Sequence, residues 1–307
     1  MTFGRIVIEY PRDIMKYRGL YTAIVTPFKD NKIDTEALKA LVEAQIAGGV
    51  DGIVPVGTTG ESPTLSHAEH MEVIRLAIEY AAGRCQVIAG TGSNSTDEAI
   101  AMTQEAEAMG ADGTLQVCPY YNKPSQEGVY RHFKAVADNT KLPILLYSIP
   151  GRSGIEISVE TVARLAKDCP NIIAIKEAGG SVERVNQLVQ AVPADFAILS
   201  GDDGLTVPFI SCGAVGLVSV TSNVAPAQMK ELVDTALSGD GLKALELQKK
   251  YYPLMKGLMS LDGNPVPIKA AMAMRGVMSW EIRLPLVPLA ESKHEQLAEL
   301  LKNFNLL

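Results

Sequence analysis

The sequence predicts an α/β protein built as a (β/α)8 barrel of the TIM-barrel class, followed by an appended C-terminal helical segment. Three observations carry that expectation. Eight short β-type runs alternate with helical patterns, and their starts lie 19 to 34 residues apart, the repeat length of strand–helix units. Several of the runs are apolar without alternation, as a parallel sheet covered on both faces requires. No G-x-G-x-x-G follows the first run, which removes the main reason to prefer a doubly wound dinucleotide-binding sheet.

The runs, in order, are Leu20–Thr26, Gly52–Val56, Gln86–Ala89, Gly113–Val117, Pro143–Tyr147, Ile172–Lys176, Ala197–Ser200 and Gly216–Val220. Helix starts between them are legible. Ser66-His67-Ala68-Glu69 and Ser95-Thr96-Asp97-Glu98 read as capping boxes, and Asp34 and Ser158 as N-caps. Helix exits carry glycine, at Gly48-Gly49 and Gly110. Residues 225–239 supply the eighth helix. Residues 240–307 form the helical segment, which Pro253, Asp262–Pro267 and the pair Pro285 and Pro288 divide into helices of ordinary length. The expected division is therefore a peripheral N-terminal extension over 1–17, a barrel over 18–239 and a helical domain over 240–307.

Composition narrows the function. The 307 residues are 47% hydrophobic and 21% charged, ample for a core and ordinary for a soluble protein. A net charge of −7 argues against a nucleic-acid partner, which needs clustered Lys and Arg. No apolar run reaches the roughly 18 residues of a membrane span, so no membrane role is expected. Cys85, Cys118, Cys169 and Cys212 lie far apart with no C-x-x-C, which suits a reducing cytoplasm and buried thiols. Residues 1–17 lack the long apolar stretch and small-residue cleavage site of a secretory signal.

In such a barrel the reacting groups stand at the C-terminal strand ends. Lys176 closes the sixth run, and a buried ammonium sheds its proton or finds a counter-ion. A neutral lysine amine forms Schiff bases with carbonyl substrates; the bland reading is a lysine that snorkels out or pairs with Glu177. The other strand ends supply Gly57–Ser62, Cys118–Asn122, Tyr147, Arg152 in the turn Pro150–Gly154, Gly201–Asp203 and Ser219–Thr221. One amine, several hydroxyls and one guanidinium on one rim make a site for a carboxylate-bearing carbonyl compound. Thr58, Thr59 and nearby N–H groups suit a small carboxylate, and Arg152 a second one. The histidines (His67, His70, His132 and His294) all fall on helical segments, so no metal mechanism is expected. Asp202 and Asp203 carry the wrong charge for the phosphate site that barrels often place after strands 7 and 8, which favours a non-phosphorylated keto acid.

These motifs resemble the dihydrodipicolinate synthase branch of the pyruvate-dependent class I aldolases. The likeness runs from about Gly19 to Leu307 and rests on Gly57-Thr58-Thr59-Gly60-Glu61-Ser62, Pro119-Tyr120-Tyr121-Asn122-Lys123-Pro124, Tyr147, Ile175-Lys176-Glu177-Ala178, Ser200-Gly201-Asp202-Asp203 and Asn264-Pro265-Val266-Pro267-Ile268-Lys269. The resemblance implies that Lys176 forms a Schiff base with pyruvate, without a cofactor, and that the enamine attacks L-aspartate 4-semialdehyde on the route to lysine and diaminopimelate. It implies a proton relay of Thr59, Tyr147 and Tyr121, the last donated across a subunit interface. Thr58, Thr59, Val218 and Gly201 would hold pyruvate, and Arg152 the semialdehyde carboxylate. A homo-oligomer is implied, a dimer at least and usually a dimer of dimers.

The resemblance also implies feedback inhibition by L-lysine at the tight dimer interface. The corresponding positions are Ser62, Pro63, Leu65, His67, His70, Gly92, Ser93, Asn94, Glu98 and Tyr120. Two other functions fit the same barrel: a retro-aldolase for sialic acid or a keto-deoxy sugar acid, and a small-molecule sensor without turnover. Arg152 and the double threonine favour the synthase over the first, and the intact set Lys176, Tyr147, Tyr121 and Thr59 over the second.

Overall fold

The computed structural model describes residues 17–307. Eight parallel strands close into a barrel: β1 (Gly19–Ala23), β2 (Gly52–Val54), β3 (Gln86–Gly90), β4 (Gly113–Val117), β5 (Ile144–Ser148), β6 (Ile172–Glu177), β7 (Ala197–Ser200) and β8 (Gly216–Ser219). Each strand pairs with its sequence neighbour, and β1 pairs with β8 to complete the ring. The predicted runs match these strands to within three residues at either end. The first and second stop early because the chain leaves the sheet at the rim. Val56 adopts φ +51°, a left-handed conformation costly for a β-branched residue, and turns the backbone into the loop over 57–62.

The helices are α1 (Thr35–Ala47), α2 (His67–Ala81), α3 (Thr96–Met109), α4 (Gln126–Asp138), α5 (Val159–Asp168), α6 (Val182–Ala191), α7 (Thr206–Ser211) and α8 (Pro226–Leu237) around the barrel, then α9 (Gly241–Ser260), α10 (Val266–Met274) and α11 (His294–Lys302). Asp34, Ser66 and Ser158 cap as expected, and Ser66 with Glu69 forms the full reciprocal box. Ser95 caps α3, but Glu98 does not reach back to it. The Glu98 carboxylate accepts instead from the Ser93 hydroxyl, and the Ser95 amide, two residues further on, donates to that same hydroxyl at 3.1 Å.

Two boundary expectations need correction. Tyr17, placed in a peripheral arm, is buried inside the barrel beside Tyr21, and its hydroxyl donates to the Asp112 carbonyl at 2.7 Å. The rest of that expected extension lies outside the described residues. Pro253 does not divide the C-terminal segment but sits inside the 20-residue α9. One lost backbone hydrogen bond and a ring clash cost about 3 kcal/mol. Burial of Leu247, Tyr251, Leu254, Met255 and Leu258 along one helix face offsets it.

Side-chain alternation decides what faces the barrel interior. On β6, Ala174 and Lys176 point inward while Ile175 and Glu177 point to the helix layer. On β5, Leu145 and Tyr147 point inward, and Ile144 and Leu146 outward. Tyr21, Val54, Ile88, Leu115, Leu199 and Val218 complete the interior filling. The C-terminal helices share a core with the barrel: Leu254, Ile268 and Leu297 pack in one apolar cluster with Leu20, Val42 and Ile53.

Candidate active site

Register and alternation bring Lys176 and Tyr147 together. They are direct partners across β5 and β6, both 5% exposed, and Lys176 Nζ lies 4.2 Å from the Tyr147 ring centroid. Lys176 makes no ion pair among the described residues. Its neighbour Glu177 lies on the opposite face, where Arg184 Nε donates to it at 2.8 Å and Gly179 N at 2.7 Å. Lys176 therefore neither snorkels out nor pairs with Glu177. Gly201 leaves room for it: a Cβ there would lie 3.1 Å from Lys176 Cε and 2.7 Å from Ala178 Cβ.

Tyr147 of this pair lines a cavity of about 240 Å³. Thr58, Tyr147 and Arg152 share its wall with Ser62, Pro63, Gly92 and Tyr120. Thr58 is half-buried on that wall, whereas its neighbour Thr59 is buried, its hydroxyl accepting from Asn264 Nδ2 at 3.1 Å. Arg152 is exposed on the short helix Pro150–Ser153, and one of its guanidinium nitrogens donates to the Asn264 carbonyl at 2.9 Å. Val218 contributes its side chain to the barrel interior.

The loop carrying the two threonines is tied down by buried charge. Glu61, at φ +56°, pairs with Lys269 of α10, and its other oxygen accepts from Arg283 N at 3.0 Å. Lys269 also donates to the Thr26 carbonyl at 3.0 Å. Burial lowers the Lys269 pKa against the opposing pull of Glu61. Across the rim, the buried Asp203 accepts from the Ser219 hydroxyl and from Val220 N and Thr221 N at 3.0 and 3.3 Å. Burial raises the Asp203 pKa, and its carboxylate occupies the amides after β8 that a phosphate would use.

The remaining predicted positions fall into two groups. Tyr121 stands 89% exposed at φ +69°, away from this chain's own cavity wall. Around it, Asn94 Nδ2 donates to the Tyr120 carbonyl at 3.2 Å and Asn122 Nδ2 to the Asn94 carbonyl at 2.9 Å. His67 is exposed and contacts Glu105 at 3.1 Å. His70 is buried against the Gly90 carbonyl at 2.7 Å, and burial pushes its imidazole below its ordinary range. Ser93 is buried on Glu98, and Leu65 is half-buried. The sequence reading gave no role to Asn264, Glu61 or Lys269. The one signal was the segment Asn264–Lys269, whose polar ends flank apolar residues but whose partners lie two hundred positions away.

The family model described as the dihydrodipicolinate synthetase family matches residues 16–304. The chain is 49% identical over 291 residues to 4-hydroxy-tetrahydrodipicolinate synthase of Endomicrobium trichonymphae, covering 95% of this chain and 99% of that protein. Among solved structures, the 4-hydroxy-tetrahydrodipicolinate synthase of Methylacidiphilum fumariolicum SolV is 55% identical, with a TM-score of 0.92 and coverage of 94% of this chain and 96% of that one. The enzyme of Cyanidioschyzon merolae, solved with lysine bound, is 40% identical with a TM-score of 0.92 and coverage of 95% and 99%.

Proposed function

The chain belongs to the dihydrodipicolinate synthetase family, and from that membership and the rim geometry we propose that it condenses pyruvate with L-aspartate 4-semialdehyde to give 4-hydroxy-tetrahydrodipicolinate in lysine and diaminopimelate biosynthesis. The observation that carries the reading is Lys176, buried inside the barrel against Tyr147, which shares a cavity wall with Thr58 and Arg152. The Lys176 amine adds to the pyruvate ketone, and loss of water from the carbinolamine leaves an imine. Removal of a methyl proton gives the enamine, whose carbon attacks the semialdehyde aldehyde. Each step moves a proton between oxygen, nitrogen and carbon, which needs a hydroxyl relay rather than a cofactor.

The sequence expectation places Thr59 in that relay with Tyr147 and Tyr121; we propose Thr58 there instead. Thr58 shares the cavity wall with Tyr147, so it passes the proton between Tyr147 and Tyr121. Thr59, its hydroxyl held by Asn264, grips the pyruvate carboxylate together with the backbone near Val218, and Gly201 gives Lys176 its space. Arg152 binds the semialdehyde carboxylate. The exposure of Tyr121 supports its donation into the cavity of a second copy, so the working unit is a dimer at least, and a dimer of dimers fits the family. Reduction with borohydride in the presence of pyruvate tests the reading: a pyruvate-derived mass on the Lys176 peptide is expected, and its absence from the wild type refutes it.

L-lysine is proposed as a feedback inhibitor at Ser62, Pro63, Leu65, His67, His70, Gly92, Ser93, Asn94, Glu98 and Tyr120. Support comes from the lysine-bound relative and from the wall that Ser62, Pro63, Gly92 and Tyr120 share with Thr58. Titrating lysine into a steady-state assay is the check, and no inhibition at millimolar concentration refutes it. A cytoplasmic location fits the thiols: Cys85, Cys118 and Cys169 are free and buried, and burial raises the pKa of each.

A further inference from the structure

We propose that Asn264 is a positioning residue that fixes the polarity of Thr59, holding its hydroxyl as a hydrogen-bond donor toward the carboxylate of the keto acid. The inference rests on the proposed aldolase function. Asn264 is 8% exposed and opens the turn into α10, 205 positions from Thr59. Its side-chain amide donates to Thr59 Oγ1 at 3.1 Å, while its backbone carbonyl accepts from Arg152 Nη2 at 2.9 Å. One residue thus touches the proposed grips for both substrates, by two chemically separate groups.

A hydroxyl has one hydrogen to give and two lone pairs to receive. With the Asn264 amide filling a lone pair, the Thr59 hydrogen remains free for an anion. The opposite amide orientation would have Asn264 accept that hydrogen and leave Thr59 only its lone pairs, which repel a carboxylate. The buried environment discriminates between the two. As oriented, Asn264 leaves only Oδ1 without a partner. Reversed, it would bury an NH2 group where Oδ1 finds none, and orphaned donors are rarer than under-satisfied carbonyls. Because the bond to Arg152 comes from the main chain, a side-chain change at 264 separates the two grips.

The test is N264D in the full-length protein, with T59V and the double variant beside it. Aspartate has the shape of asparagine but only accepts, so it captures the Thr59 hydrogen. The expected result is a rise of roughly tenfold or more in the pyruvate KM, with a change of about twofold or less in the semialdehyde KM; a tenfold effect corresponds to about 1.4 kcal/mol. In the T59V background the N264D effect on the pyruvate KM should vanish. Equal pyruvate KM values for wild type and N264D overturn the proposal, as does a full N264D effect without the Thr59 hydroxyl. If N264D does not fold, N264A decides: removal of the donor raises the pyruvate KM severalfold, and an unchanged value overturns the proposal. Borohydride trapping on the wild type keeps this outcome separate from failure of the aldolase reading, since a wild type that traps no pyruvate refutes that reading first.

Discussion

Replacing Lys269 with methionine removes the cation from a pair in which both side chains are buried, at 3% and 0% exposure. Methionine keeps the length of the apolar stem, so the loss is that of the charge rather than of volume. What remains is a Glu61 carboxylate away from water, with the Arg283 amide at 3.0 Å as its hydrogen-bond donor. Breaking a buried pair from one side costs about 3–5 kcal/mol, most of it the penalty of the stranded charge. For a chain of this length that predicts a melting temperature lower by roughly 6–10 °C, taking about 2 °C per kcal/mol. Calorimetry at one scan rate measures it. Glu61→Gln in the same chain removes the stranded charge, so the double variant should regain more than half of the loss. The pyruvate KM should rise in Lys269→Met as the threonine loop loosens. A single variant within about 2 °C of wild type, or a double variant melting no higher than the single, refutes the argument.

Three further outcomes follow from the geometry. Gly201→Ala puts a methyl group 2.7 Å from Ala178 Cβ and against the Lys176 stem; the rate of pyruvate trapping should fall roughly tenfold, about 1.4 kcal/mol, and an unchanged rate in stopped-time labelling refutes the packing argument. Tyr121→Phe should lower kcat roughly a hundredfold, as loss of a positioned proton carrier does, while an unaltered kcat removes Tyr121 from the relay. Burial holds the His132 imidazole at about 4, below its ordinary 6.5. The unfolded chain then takes up this proton first as pH falls, so stability declines from pH 6.5 down to about 4 and levels off below, by up to about 3 kcal/mol. His132→Gln should flatten that part of a denaturation-versus-pH profile, and an unaltered profile excludes His132 as its source.

Much of this was legible because it is periodic. Eight apolar runs at regular spacing imply the barrel, and inside a strand the parity of a position fixes its face, so Lys176 and Tyr147 had to meet. Parity ends where the strand ends. Thr58 and Thr59 are adjacent in a loop, and only the coordinates show which lines the cavity and which is tied to Asn264. The same limit hid Glu61 and Lys269, whose pairing depends on how α10 docks. Pro253 misled because its local cost is real, while the helix face that outweighs it appears only when the core is assembled. Glu98 has the spacing of a capping box, yet Ser93 competes for its carboxylate, and spacing does not register a competitor. Tyr17 looked like an arm because it ends a stretch of mixed charge ahead of the first strand, whereas its partner Asp112 lies 95 positions on.

The ties from Asn264 to Thr59 and from Lys269 to Glu61 join positions 205 and 208 apart. The threonine loop is thus secured by a helix made about two hundred residues after it. Contacts of such long separation form slowly, so the folding of the rim is tied to the docking of a segment remote in sequence from the loop it secures.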